Sequence, residues 1–115
     1  MIIKNDYDLI ITIINKGNCH SIVKASKKSG AGGATVLQGR GSGIHDTKTI
    51  FGIPIEPEKD IILTAVPREK TEVILEAIIK AGNLNEPATG VAFVMPLSMV
   101  AGINHLPGAC MDEDS

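Results

Sequence analysis

Four apolar, largely β-branched runs punctuate the chain, with two helically spaced segments between them. Leu9, Ile10, Ile11, Thr12, Ile13 and Ile14 predict a first strand over residues 9–14. The polar residues 15–18 break it, and Asn18 is placed to cap a helix by accepting from a free N–H in the first turn. Over residues 19–29 the period lengthens. Cys19, Ile22, Val23 and Ser26 share one face, while Lys24, Lys27 and Lys28 lie elsewhere, as in an amphipathic helix that Gly30 stops. Residues 34–38 predict a second strand, and residues 61–66 a third, closed by Pro67. The strongest helical pattern spans residues 69–81. Ile74, Ala77, Ile78 and Ala81 form its stripe, Glu76 pairs with Lys80 at i,i+4, Glu69 and Glu72 suit its positive end, and Gly82 ends it. After a polar loop over residues 83–90, residues 91–95 predict a fourth strand stopped by Pro96. Residues 1–6 read as a charged lead, residues 97–103 as a helical turn or small strand, and residues 104–115 as a solvated C-terminal tail.

The order strand–helix–strand, twice over, is the βαββαβ pattern of a ferredoxin-like α+β sandwich. One domain over residues 1–103 is expected, a four-stranded antiparallel sheet with two helices on one face. The strands do not alternate as half-exposed strands do. Leu9, Ile11 and Ile13 oppose Ile10 and Ile14, and Ile61, Leu63 and Ala65 oppose Ile62, Thr64 and Val66, so both faces are apolar. A bare apolar face of that extent exceeds what most monomers expose, which predicts an oligomer whose sheets pack on one another. The alternative is a monomer covered by its own loop and tail.

Between the second and third strands lies a connection of roughly twenty residues, where about 4–6 is usual and longer loops are commonly functional. This long loop, residues 39–58, starts with Gly39, Arg40, Gly41, Ser42 and Gly43. That combination joins backbone freedom, free N–H groups and a planar cation. It is not a Walker A loop, because no Gly-Lys-Ser/Thr end opens onto a helix, but successive N–H groups there can form an anion nest. Ile50, Phe51, Ile53 and Ile55 are too apolar for a permanently solvated segment, and Pro54 and Pro57 stiffen the return leg. The alternatives are packing on a neighbour or a strand extension formed as the loop orders. The glycines of residues 30–33 follow a helix and precede a strand, the reverse of a dinucleotide fingerprint, and read as structural.

Composition narrows the function. The 115 residues suit one domain, and 43% apolar content suffices for a core. A net charge of -2, no basic run and only three aromatic residues disfavour nucleic acid, which needs phosphate-neutralising cations and stacking platforms. Cys19 and Cys110 match no CxxC spacing, no apolar run reaches membrane-spanning length, and the N-terminus shows no signal pattern. A cytoplasmic protein that meets membranes only through a partner is expected. His45 beside Asp46 lacks further ligands at metal spacing, His20 reads as a first-turn helix residue, and His105 and Cys110 fall toward the tail, so no metal site is expected. No nucleophile–base pair is readable, and no catalytic residue is assigned.

The segments Ala34-Thr35-Val36 with Gly39-Arg40, Glu58-Lys59-Asp60-Ile61-Ile62, residues 73–80 and Thr89-Gly90-Val91-Ala92-Phe93-Val94, in this order and spacing, resemble the PII nitrogen-regulatory signal-transduction proteins, and more closely their shorter PII-like branch. The resemblance spans residues 8–102. It implies cytosolic homotrimers of ferredoxin-like subunits and clefts between subunits that bind effectors, commonly adenine nucleotides (AMP, ADP or ATP). It also implies a long loop (the T-loop) that docks on enzymes or membrane transport proteins. Gly39 and Arg40 are similar to the family's loop-base Gly-Arg, Gly90 to the last glycine of its second glycine-rich loop, and Thr64 lies on the strand flanking the pocket. The resemblance therefore implies effector contacts from Gly39, Arg40, Gly41, Ser42, Thr64 and Gly90, and partner docking through Ile44, His45, Lys48 and Phe51.

This chain departs from the family pattern in places. Val91 replaces the lysine after the second-loop glycine, residues 97–105 hold no Lys or Arg, and the long loop holds no tyrosine to modify. A monophosphate, a diphosphate or a small anion suits so few cations better than a triphosphate. No cofactor is required on this reading. The alternatives are a small enzyme acting on an anionic substrate in an intersubunit cleft, with Arg40 and His45, and a metal-binding trimer of similar topology.

Overall fold

The computed structural model describes residues 1–42 and 48–102. Its elements are β1 (Ile2–Asn15), α1 (Cys19–Lys28), β2 (Thr35–Arg40), β3 (Lys48–Ile50), β4 (Ile53–Ile55), β5 (Glu58–Pro67), α2 (Thr71–Gly82) and β6 (Gly90–Ala101), with one 3-10 turn at Arg68–Lys70. β2, β5, β1 and β6 form a four-stranded antiparallel sheet in that order, and β3 and β4 form a separate hairpin inside the long connection. The expected ferredoxin-like sandwich is present. Ile44 and His45, the tail over 104–115, His105 and Cys110 lie outside the described residues.

The apolar strand runs are divided between two faces by their period of two. Ile10, Ile14, Ile62 and Val66 are buried under Ile22 and Val23 of α1 and Ile74 and Ile78 of α2, forming the core. Ser26, also on the inner face of α1, satisfies its hydroxyl by donating to the Val23 carbonyl at 2.8 Å. Residues opposite one another in register share a face. The register therefore lays out the other face in rows: Leu37, Ile61, Ile13 and Val91; then Thr35, Leu63, Ile11 and Phe93; then Ala65, Leu9 and Met95. Only Thr35 in that grid is polar, and Leu37, Val91, Phe93 and Met95 are exposed.

Several element boundaries differ from the sequence expectation. β6 runs through Pro96 to Ala101 because it is an edge strand, where a missing N–H breaks no pairing on the outer side. β1 starts at Ile2 because β6 pairs with it along that extension, across an irregularity between Lys4 and Tyr7 where Asn5 takes φ 63. Residues 1–6 are thus mostly strand rather than a lead. Asn18 precedes α1 but makes no side-chain capping bond. At the other end of α1, Gly30 (φ 117) lets its own N–H reach the Lys27 carbonyl and the Ala31 N–H reach that of Ser26, a Schellman closure. α2 closes the same way, with Asn83 rather than Gly82 in the left-handed conformation (φ 55). Gly82 is instead small because a Cβ there would lie 3.0 Å from Ile22 Cδ1, where the helices meet.

Candidate functional site

The predicted loop base sits at the end of the sheet where β1 and β2 finish and β5 and β6 begin. Gly39 and Arg40 are the last two residues of β2, paired with Lys59 and Glu58. They are extended strand, so the anion nest expected over 39–43 does not begin at these residues. A Cβ on Gly39 would come within 3.1 Å of Ile61 Cδ1, whereas one on Gly41 would meet open space. The Gly41 N–H donates to the Pro57 carbonyl at 3.2 Å and carries the pairing one residue past the strands. Arg40 is exposed and makes no ion pair among the described residues, and Ser42 beside it is exposed.

Two neighbouring turns are fastened to this base. The Lys16 N–H donates to the Glu58 carbonyl at 3.3 Å, and the Lys16 Nζ pairs with Glu58 Oε1 at 2.8 Å. The hydrogen bond from Lys16, and then its charge, hold the Glu58 carboxyl below the usual carboxylate range, and Glu58 in turn holds the Lys16 amine above its usual range. Both side chains are about half exposed, at 55% and 52%, so solvent screens the pair. Asp60, buried, accepts from the Gly17 N–H at 2.9 Å and fixes the turn after β1. Asn15 joins the pieces. Its side-chain oxygen accepts from Lys59 Nζ at 2.7 Å, and its Nδ2 donates to the Ala88 carbonyl of the second loop at 3.1 Å.

The second loop is closed on itself by Thr89, whose hydroxyl bonds the Asn83 and Glu86 carbonyls at 2.8 and 2.9 Å. Gly90 (φ 152) then starts β6, where a Cβ would fall 2.5 Å from the Ile13 carbonyl oxygen. Only glycine allows that approach, so packing alone accounts for its identity there. A cleft of about 260 Å3, lined by Asn15, Asn18, Ser21, Asn83 and Thr89 over Ile14 and Ile22, opens between the first turn and the second loop.

The structure thus places Gly39, Arg40, Gly41 and Ser42 on one edge strand and just past it, and Gly90 on the opposite edge strand at the same end of the sheet. Thr64 is not with them. It is fully buried on the helix-covered face beside Ile62 and Val66, its hydroxyl unpaired, as is that of Thr12. Asn15, Lys16, Glu58 and Lys59 belong to this end and were not singled out as site residues from sequence. The available signal was a charged triplet, Glu58-Lys59-Asp60, just before an apolar strand, facing Asn15-Lys16 just after another.

The docking residues expected in the long loop divide. Lys48 opens β3, and Phe51 occupies the hairpin tip. Among the described residues no group of three or more His, Cys, Asp or Glu converges, and no helix is long and apolar enough to cross a membrane.

Compared with known proteins, the chain matches the family model described as nitrogen regulatory protein P-II over residues 7–105. No curated protein matches it. Among solved structures, a crystal structure of Arabidopsis thaliana PII bound to citrate is similar at a TM-score of 0.69 and 22% identity. The match covers 89% of this chain and 87% of that one. At that identity the likeness speaks to the fold.

Proposed function

The chain belongs to the nitrogen regulatory protein P-II family, whose members are regulators in signal transduction, and from that premise we propose that it senses a small anionic effector at the base of its long loop and passes the occupancy on to a partner. The observation that carries this reading is the Asn15 bridge, which ties Lys59 at the long-loop base to Ala88 in the second loop. An effector seated there touches both loops at once. Arg40, exposed at the end of β2, supplies a guanidinium suited to phosphate or carboxylate, with Gly39, Gly41 and Ser42 beside it in the chain and Gly90 at the same end of the sheet on the opposite edge strand. Thr64 contributes to the core instead. The effector class is an adenine nucleotide with few phosphates (AMP or ADP ahead of ATP) or a small anion. The similar Arabidopsis protein is bound to citrate, a polyanion.

On this reading the chain acts in the cytoplasm as a homotrimer, and the bare apolar face supports an assembly in which sister sheets cover one another and the loop bases line the clefts between subunits. The partner, an enzyme or a membrane transport protein, is met through the hairpin. Effector binding redirects the loop only through different affinities for its two states. Calorimetric titration with AMP, ADP, ATP and bicarbonate tests the site. At least one binds the wild-type protein, and Arg40→Ala weakens it about tenfold or more. Unchanged affinity in Arg40→Ala shows that the site lies elsewhere.

A further inference from the structure

Positive charge is gathered where α1 ends. Lys24, Lys27 and Lys28 stand on α1, which carries no Asp or Glu. Lys70 joins them from the 3-10 turn before α2, since a Cβ on Gly30, just past the end of α1, would lie 3.0 Å from Lys70 Cδ and 3.2 Å from its Nζ. Lysines suit the negative pole of a helix, but that pole is worth only about half a charge. Its carbonyls at Ala25, Ser26 and Lys27 already accept from the N–H groups of Ser29, Gly30 and Ala31. Lys24 and Lys28, at i,i+4, repel one another. Among the described residues Lys24, Lys27, Lys28 and Lys70 form no ion pair, not even with Glu69 beside Lys70. The pole of α1 therefore leaves most of this charge without a counterpart, on a chain whose net charge is -2.

We propose that this patch is the docking site of the chain's own acidic segment, Asp112-Glu113-Asp114. Residues 103–115 hold these three acids in succession and no Lys or Arg, so the charges are complementary. The topology delivers the segment to the right end of the sheet. β6 ends at Ala101 opposite Ile2, and β5 ends at Pro67 opposite Tyr7, the end where α1 stops and Lys70 leads into α2. Gly102 (φ 83) turns the chain as it leaves β6. The ten residues from there to Asp112 reach up to about 33–36 Å. Ile2 lies five residues beyond the level of Pro67, roughly 17 Å, and β6 is two strand spacings from β5, roughly 10 Å. The step up to the helix layer adds about 10 Å in a third direction, so the segment spans the gap with chain to spare. A tethered segment is present at an effective concentration of order mM, which places it ahead of a lipid surface or a nucleic acid as the occupant. Once docked it screens the lysines, and an acidic partner binds there only by displacing it.

Zero-length coupling of carboxylates to amines by a carbodiimide, mapped by peptide mass spectrometry, reads the contact in the full chain. Expected are links from Asp112, Glu113 or Asp114 to Lys24, Lys27, Lys28 or Lys70, about tenfold more frequent than links to Lys16 or Lys80. They fade at about 1 M salt, where the Debye length is about 3 Å. Lys24→Glu with Lys28→Glu removes most of them, and adding Glu113→Lys restores a link with amine and carboxylate exchanged. Lys24→Gln with Lys28→Gln, which brings no new charge to the helix, shows the same loss. Hexaglutamate binds the Asp112→Asn, Glu113→Gln, Asp114→Asn variant about tenfold more tightly than the wild type, because the tethered competitor is gone. Links spread evenly over all lysines, or no link from residues 112–114, overturn the proposal. Equal hexaglutamate affinity in the two proteins overturns it as well. Links that join an isotope-labelled chain to an unlabelled one in mixed samples overturn it in favour of a second copy's segment. None of these readouts involves an effector, so the proposal stands or falls apart from the regulator reading.

Discussion

The two ends of the four-stranded sheet are both held by side chains reaching between elements, but in different surroundings. At one end, Arg68 donates from Nη1 to the Asn5 carbonyl at 2.7 Å, from Nη2 to the Tyr7 carbonyl at 3.1 Å, and from Nε to Asp8 at 3.1 Å. Asp8 is buried, and its other oxygen accepts from the Thr71 hydroxyl at 2.7 Å. One guanidinium thus fixes the irregularity in β1 and the start of α2 together. At the other end, Lys16 and Glu58 form a half-exposed pair, and the joint between the loops is one amide, Asn15. A buried carboxylate with several partners is a lock, because opening it strands a charge away from water. A screened pair is a clasp, because water replaces it at little cost. The clasp is at the end that carries the long loop.

The comparison breaks most visibly at the lock. Arg68→Ala leaves the buried Asp8 carboxylate with Thr71 alone and frees the two carbonyls at the β1 irregularity. A loss of about 2–3 kcal/mol in unfolding free energy is expected. Urea unfolding at fixed protein concentration measures it. A change no larger than that of an average surface substitution shows that the two ends are held alike.

A smaller effect sharpens the other half. Asn15→Ala removes the amide shared by Lys59 and Ala88, at an expected cost of about 1 kcal/mol, typical of a partly exposed hydrogen-bonded site. Its distinctive outcome is local. Amide exchange in the second loop and at the long-loop base speeds up, while exchange around Asn5, Tyr7 and Thr71 stays as in the wild type. Uniform acceleration across both ends would mean that Asn15 supports the fold generally rather than joining the loops.

How far these ends are legible in the sequence depends on the distance over which each contact acts. β1, β5 and the two helices follow from local runs and periods. The double-sided greasiness of the sheet is visible in Leu9, Ile11 and Ile13 set against Ile10 and Ile14. Arg40 is conspicuous because it stands among glycines. Asn15 is not, since its partners are 44 and 73 residues away, and nothing in its neighbourhood announces them. Arg68 is hidden for the same reason, with partners 60 to 63 residues off. Thr64 sits on the helix-covered face, and that placement is readable. Its parity with Ile62 and Val66 already puts it on the covered face, and the alternation of a strand outweighs adjacency to a pocket. Pro96 misleads because proline ends central strands but not edge ones, and which strand is an edge is a property of the assembled sheet. The β3–β4 hairpin is obscured because its turn reads Phe-Gly where Asn-Gly is the usual signal.

The smallest expected effect is also the most specific to the clasp. Glu58 is held below the usual carboxylate range, so its ionisation favours the closed clasp at every pH above that range, and the preference is lost as acid titrates the carboxyl through its lowered value. Lys16 is held above the usual amine range, so its charge favours closure at every pH below that range, and this is lost only in strong base. The clasp is therefore closed across neutral pH and opens from the acid side through Glu58. The Lys16 amide, which donates to the Glu58 carbonyl, reports on it directly. Its exchange, corrected for the intrinsic pH dependence, should quicken on acidification in the wild type and become nearly independent of pH in Glu58→Gln, with thermal stability at neutral pH unaltered. The Thr71 amide at the lock is the internal control. If Glu58→Gln shows the same acid response as the wild type, another group opens this end of the sheet. Asp60, which holds Gly17 beside it, is then the next carboxylate to replace.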